Sequence, residues 1–195
     1  METKNHLQLG SMLAKKYHFS RHTTFFLFGN VLPDLNFLSY FKGHTYRSRI
    51  AFIEKKINQL FQQPIWNWKS YYDLGIITHY VADFYTFPHN TNFKGSLRNH
   101  FSYEKKLRFY FYKKSLHQKV QSKNNSSYAL KNPKQILQHL QTSHKNYMDQ
   151  SPSLNNDFHY IIEETTILLE SITRHQKHSL WCLAPFIECQ NIHCL

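Results

Sequence analysis

Turn-forming residues are scarce in this sequence. It has 5 glycines and 6 prolines in 195 residues, too few for the repeated tight turns of a β-sandwich or barrel. Cysteine is scarcer still: Cys182, Cys189 and Cys194 all fall near the C-terminal end. An odd number without CxxC spacing argues against a disulfide framework or a thiolate zinc site, and reduced thiols suit the cytosol. Acidic side chains are outnumbered two to one, with 24 Lys and Arg against 12 Asp and Glu, a net +12 with His neutral. Such a surface attracts polyanions, either nucleic acid or an anionic membrane face, and it also serves solubility. Long apolar runs are missing too. No stretch approaches the ~18 uninterrupted apolar residues of a membrane span, and METKNHLQLGSMLAKKYHF has no continuous core of signal-peptide length. The expectation is a soluble, cytoplasmic chain, at most peripheral at a membrane, with no protein partner predicted.

Helical periodicity fills the space that turns leave. Ile50, Ile53, Ile57, Leu60 and Phe61 form one apolar stripe, ended by Pro64. Phe158, Ile161, Ile162, Leu168, Leu169 and Ile172 form another at i, i+3, i+4 spacing. Asp73 to Phe87 is apolar on nearly every side, the pattern of a central helix that stops near Pro88. Ser96 is the expected N-cap of a helix to about Leu116. Two more helices are expected, roughly Pro133 to Asp149 and Leu154 to Trp181. The fold class is all-α, a compact multi-helix bundle. Residues 1–117 form its helical core, 118–134 a polar connecting loop, and 135–195 the C-terminal helices completing the same domain.

Some polar groups do not belong on a core face. THYVADFYTFPHN places His79 and Asp83 at i and i+4 on the central helix, one above the other. NHFSYE repeats the arrangement with His100 and Glu104. Leu97, Phe101, Leu107 and Phe111 share that side, so the second pair is expected to point inward. A buried carboxylate without a partner costs a few kcal/mol or more. One such pair is an ordinary core hydrogen bond. Two pairs, with His89 in the connection between them, point to a metal. Imidazole and carboxylate without thiolate suit zinc and leave room for iron or manganese; calcium and magnesium fit poorly. Asp34, after Pro33 in a turn following an apolar helix end, and His44 after a glycine are weaker candidates that depend on the fold.

The ordered segments GNVLPD, KGH, THYVADFYTFPH and NHFSYE resemble the zinc-dependent phospholipase C family, whose fold is shared with zinc single-strand-specific nucleases. The resemblance covers roughly residues 1–110. Carried over by motif, it implies two or three zinc ions. Asp34, His44, His79 and Asp83 would hold one, with Asp83 bridging to a neighbour. His89, His100 and Glu104 would hold another. The family's remaining site joins a histidine near the chain start to the amino group and carbonyl of an N-terminal tryptophan. His6 is the matching histidine, and the chain begins with Met1 where the family has tryptophan.

The resemblance implies phosphodiester hydrolysis. Zinc lowers the pKa of bound water toward ~7, and metals a few ångströms apart neutralise phosphate oxygens during in-line attack. Asp34 would double as the catalytic group that orients or deprotonates water. A phospholipid cut on the diacylglycerol side is the favoured substrate. The rivals are a nuclease on the same scaffold, which the charge favours, and a metal-stabilised binding protein without turnover. Phe84, Tyr85 and Phe87 read mainly as packing, and Trp66 and Trp68 as loop packing or an interfacial cluster. Lys105, Lys106, Arg108, Lys113 and Lys114 read as a solvated face. His18, His22, His139, His144, His159, His175, His178 and His193 read as surface or incidental histidines.

Overall fold

The computed structural model describes residues 1–35, 44–117 and 129–190, and of Arg21, 115–117 and 177–190 the backbone alone. Among the described residues the elements are helical throughout, as the periodicity requires: α1 (Thr3–Lys16), α2 (Thr23–Leu35), α3 (Tyr46–Gln62), α4 (Trp68–Phe84), α5 (Leu97–His117), α6 (Pro133–Met148) and α7 (Leu154–Gln190). Short 3₁₀ turns at Ser20–His22 and Phe87–His89 complete the set. The side chains of the three cysteines and of His178, all of His193 and most of the polar connection lie outside what is described.

Helix α4 is the axis, and every residue from Asp73 to Phe84 is buried. Asn67 caps it, accepting from Lys69 N at 2.9 Å and Ser70 N at 3.3 Å, while Ser70 Oγ accepts from Asn67 N at 3.2 Å. Such reciprocal capping satisfies amides the first turn leaves free. The helix therefore starts at Trp68, earlier than the apolar pattern, and it ends at Phe84 rather than Phe87. The C-terminal correction has a local cause. Tyr85 N and Thr86 N bond Ala82 O and Asp83 O in tight turns, and Thr86 is already extended (φ −110°, ψ 115°).

Helix α2 lies against α4 with backbones touching. A Cβ on Gly29 would collide with the Tyr72 carbonyl, and one on Gly75 with the Phe26 carbonyl. Only glycine permits that approach. Helix α2 also runs through Pro33 to Leu35, so Asp34 sits in a last helical turn, not after the helix end. Pro33 cannot donate to the Gly29 carbonyl, but so near the end that removes a single ladder bond.

The α3 stripe is core as expected, with Ile53, Ile57 and Leu60 buried. The α7 stripe buries Phe158, Ile161, Leu168, Leu169 and Ile172, and its backbone continues beyond Trp181 to Gln190. The α5 face needs correction. Leu107 and Phe111 are fully buried, but Leu97 is 65% and Phe101 56% exposed. At about 100° per residue, those two lie roughly 50° and 90° round the helix from the buried line through His100, Glu104, Leu107 and Phe111.

Candidate metal centre

Six segments deliver eight side chains to one place. Helix α1 supplies His6 and α2 supplies Asp34. His44 precedes α3, α4 carries His79 and Asp83, the 3₁₀ turn carries His89, and α5 carries His100 and Glu104. Asp83 is the hub and is fully buried. Its Oδ1 lies 3.2 Å from His6 Nε2, and its Oδ2 lies 2.9 Å from His44 Nδ1, 3.2 Å from His79 Nε2 and 3.7 Å from His89 Nδ1. Glu104 Oε1 lies 2.8 Å from His89 Nε2 and 3.1 Å from His100 Nε2. Asp34 Oδ1 lies 3.6 Å from His79 Nε2. Four overlapping groups, His6–His79–Asp83, Asp34–His44–His79, His44–Asp83–His89 and His89–His100–Glu104, each hold ligand atoms within 4.8 Å of one another.

His79 Nδ1 lies 2.9 Å from the Asn30 carbonyl, which only accepts, so Nδ1 carries the proton. In the neutral ring, Nε2 then presents a lone pair to Asp83, Asp34 and His44 Nδ1, the last at 3.3 Å. Lone pairs facing carboxylates repel unless a proton or a metal ion lies between them. His6 Nδ1 and His44 Nε2 are also buried with no hydrogen-bond partner among the described residues. A histidine whose second nitrogen is fixed by a carbonyl is the usual arrangement around a bound metal.

Charge tells the same story. Met1, the first residue, puts its ammonium 2.6 Å from Asp83 Oδ1, 3.1 Å from Glu104 Oε1 and 3.1 Å from His89 Nε2. Burial opposes that charge, but Asp83, Glu104 and Asp34 outweigh it and raise the ammonium to about 11. Burial would push both Asp83 and Glu104 up. His89, the ammonium, His79 and His6 instead hold Asp83 well below the carboxylate range, and the ammonium, His100 and His89 do the same to Glu104. Burial, with His79 stacked at 3.8 Å, lowers His6 to about 4. Burial lowers His89 as well. Neutral imidazoles and ionised carboxylates are the protonation states that bind metal, and three carboxylates around one ammonium leave negative charge over. The donors present fit zinc.

A family model described as zinc-dependent phospholipase C matches residues 3–154. The chain belongs to that family. No curated protein and no solved structure gives a significant match. The zinc-dependent phospholipase C family is a family of hydrolases by its description, its all-α fold agrees with the helices seen, and its metal agrees with the imidazole and carboxylate groups that could hold one. Among the described residues no helix is long and apolar enough to cross a membrane.

Several residues that shape this cluster carry no motif of their own. Thr3 Oγ1 donates to Asp34 Oδ2 at 2.9 Å. Asn30 fixes the His79 ring through its carbonyl, and its Nδ2 donates to the His6 carbonyl at 2.8 Å. Only GNVLPD hinted at Asn30, since it lies four residues before Asp34. Several histidines expected to be incidental have partners. His139 Nε2 lies 2.8 Å from Glu164, His175 stacks on Phe61 at 4.2 Å, and His144 stacks on Tyr46 at 4.2 Å and bonds Asn90 Oδ1 at 2.9 Å. His22 is half-buried and stacks on Tyr71, whereas His18 and His159 are exposed. Phe84 and Tyr85 are packing residues, fully buried. Trp66 packs against the core while Trp68 is exposed. Of the basic α5 residues, Arg108 is not free in solvent but pairs with Glu2 at 2.9 Å.

Proposed function

We propose that this protein is a zinc-dependent phosphodiester hydrolase of phospholipase C type, acting on phospholipid on the diacylglycerol side of phosphate. The observation that carries the reading is the placement of His79, whose Nε2 faces the carboxylates of Asp83 and Asp34 while its Nδ1 is committed to the Asn30 carbonyl. Asp34, His44, His79 and Asp83 would hold one ion; His89, His100 and Glu104 another. His6 and the Met1 amine, which meet at Asp83 Oδ1, would serve a third. Zinc bound there supplies an acidified water and positive charge for the phosphate oxygens.

The chain's own groups do the rest. Asp83 turns Oδ1 to His6 and the Met1 amine and Oδ2 to His44 and His79, and so would fix the spacing of the ions those two sets hold. Thr3 occupies Asp34 Oδ2 and leaves Oδ1 to take the proton of the attacking water. The water oxygen joins phosphorus, the bond to the diacylglycerol oxygen breaks, and that oxygen takes up a proton. Beside His100, exposed Leu97 and Phe101 stand among Lys94, Arg98 and Lys105, and residues 91–103 contain no acidic side chain. An apolar and basic rim suits a lipid surface.

The test combines elemental analysis with hydrolysis of a chromogenic phosphodiester, of phosphatidylcholine vesicles and of single-stranded DNA. Zinc in the protein, vesicle hydrolysis, and its loss in Asp34→Asn with the ion of His89, His100 and Glu104 retained are expected. The +12 charge supports a second reading, a nuclease on this scaffold, which preferential cleavage of DNA would establish. A zinc-loaded protein inert on all three substrates would leave a binding protein.

A further inference from the structure

The segment that carries His89 is held from outside the motif region. Phe87, two residues before His89, donates its N–H to Asp157 Oδ2 at 3.0 Å. Tyr103, the residue before Glu104, donates its hydroxyl to the same oxygen at 3.0 Å, and Tyr147 of α6 donates to Oδ1 at 2.8 Å. Asp157 lies on α7, is fully buried, and stands beyond the residues matched by the family model. The far side of His89 is fastened as well. Asn90 Nδ2 donates to Phe84 O at 3.1 Å and Thr86 O at 3.0 Å, and its Oδ1 meets His144 of α6.

We propose that Asp157 is a positioning residue for the His89–His100–Glu104 group, setting the 3₁₀ turn and the first turns of α5 so that His89 and Glu104 meet at 2.8 Å. The inference rests on the reading of that group as a zinc site. Asp157 touches none of the three side chains directly. It fixes the backbone on one side of His89 and the neighbour of Glu104, and among the described residues it is the one carboxylate that bonds both. The C-terminal helices thereby acquire a role: they clamp one half of the centre, while α2 orients the other half through Asn30 and Asp34. A partner that orients a ligand from behind commonly governs metal affinity by 10–100-fold.

In the full chain, elemental analysis and chelator competition on wild type, Asp157→Asn, Tyr103→Phe and Tyr147→Phe test the assignment without reference to turnover. In Asp157→Asn an amide N–H₂ must face a donor. Affinity for one ion is expected to fall by about 10–100-fold while the remaining zinc is retained. Tyr103→Phe should weaken the same ion. Tyr147→Phe, which loses only the α6 bond, should leave every affinity at the wild-type value. Wild-type affinities in Asp157→Asn overturn the inference. If that variant does not fold, equal affinities in Tyr103→Phe and Tyr147→Phe overturn it. A wild-type protein that takes up no zinc removes the metal reading itself, and this inference with it.

Discussion

Among the described residues, the carboxylates fully shielded from solvent are Asp83 and Asp157. Asp157 is surrounded by donors that carry their own protons: one peptide N–H and two tyrosine hydroxyls. Its network closes without outside help. Asp83 faces four imidazoles and an ammonium, and the Nδ1–H of one of those rings is already donated in a hydrogen bond to a carbonyl. Neutral donors leave burial in control at Asp157, so its pKa rises to about 6. Positive neighbours overcome burial at Asp83 and drive it well below the usual range. A buried acid is therefore informative through the protons around it, more than through its burial.

The largest expected effect comes from removing the hub. In the metal-free protein, Asp83→Ala leaves the Met1 ammonium without its closest partner, a loss of about 3–5 kcal/mol measurable by chemical denaturation. Because its two oxygens face different groups, bound zinc should fall by more than one ion per chain. A loss of a single ion would reduce Asp83 to a terminal ligand. The next effect strikes the same cluster from a distance. Gly75→Ala forces α4 away from Phe26 of α2, overpacking that costs about 1–3 kcal/mol. The shift should separate Asn30 from His79 and weaken zinc uptake there, while the Asp157 network, remote from that helix contact, keeps its geometry. Zinc affinity unchanged in a destabilised Gly75→Ala protein would show that α2 does not orient His79.

Much of this was legible in the sequence. The helical periods placed the core of α3 and α7, and the i, i+4 pairs picked out His79, Asp83, His100 and Glu104, because a helix turns spacing into adjacency. His89 came with those pairs as the histidine between them, Asp34 and His44 were weaker candidates that depended on the fold, and His6 needed the family resemblance, since nothing local says that the start of the chain meets the central helix. Asp157 was invisible. It sits within an ordinary amphipathic stripe, and its partners are a peptide N–H and two tyrosines on other helices. The boundary of α4 failed for a related reason: the pattern reports burial, and burial continues past Phe84 into Tyr85 after the backbone has left the helix. Leu97 and Phe101 were misread because a shared side of a helix is wider than the strip its neighbours cover.

The pH dependence of stability should separate the two carboxylates by sign. Asp157 has a folded pKa raised from 3.8 to about 6. Its contribution is fully present below 3.8 and is lost as pH rises through 6, because the folded state then gives up a proton it had held more tightly. Asp83 is lowered, so its contribution is present above 3.8 and is lost as pH falls further. In metal-free protein, the stability of wild type relative to Asp157→Asn should decline between pH 4 and 6. Relative to Asp83→Asn it should be flat there and decline only below 4. Thermal unfolding across pH 2–8 measures both, and slopes of the same sign would overturn the contrast.

The smallest effect on stability is expected at the rim, which belongs to neither network. Leu97 and Phe101 are more than half exposed, and substitutions at such positions usually stay within about 0.5 kcal/mol. If the rim meets a lipid surface, Leu97→Ser with Phe101→Ser should leave unfolding and zinc content as they were. Hydrolysis of a soluble phosphodiester should also persist, while hydrolysis of vesicles falls several-fold. The loss should be steepest on vesicles without anionic lipid, where Lys94, Arg98 and Lys105 offer no compensating attraction. Equal losses on soluble and vesicular substrates would mean that these side chains shape the pocket around His100 and do not dock the protein on a membrane.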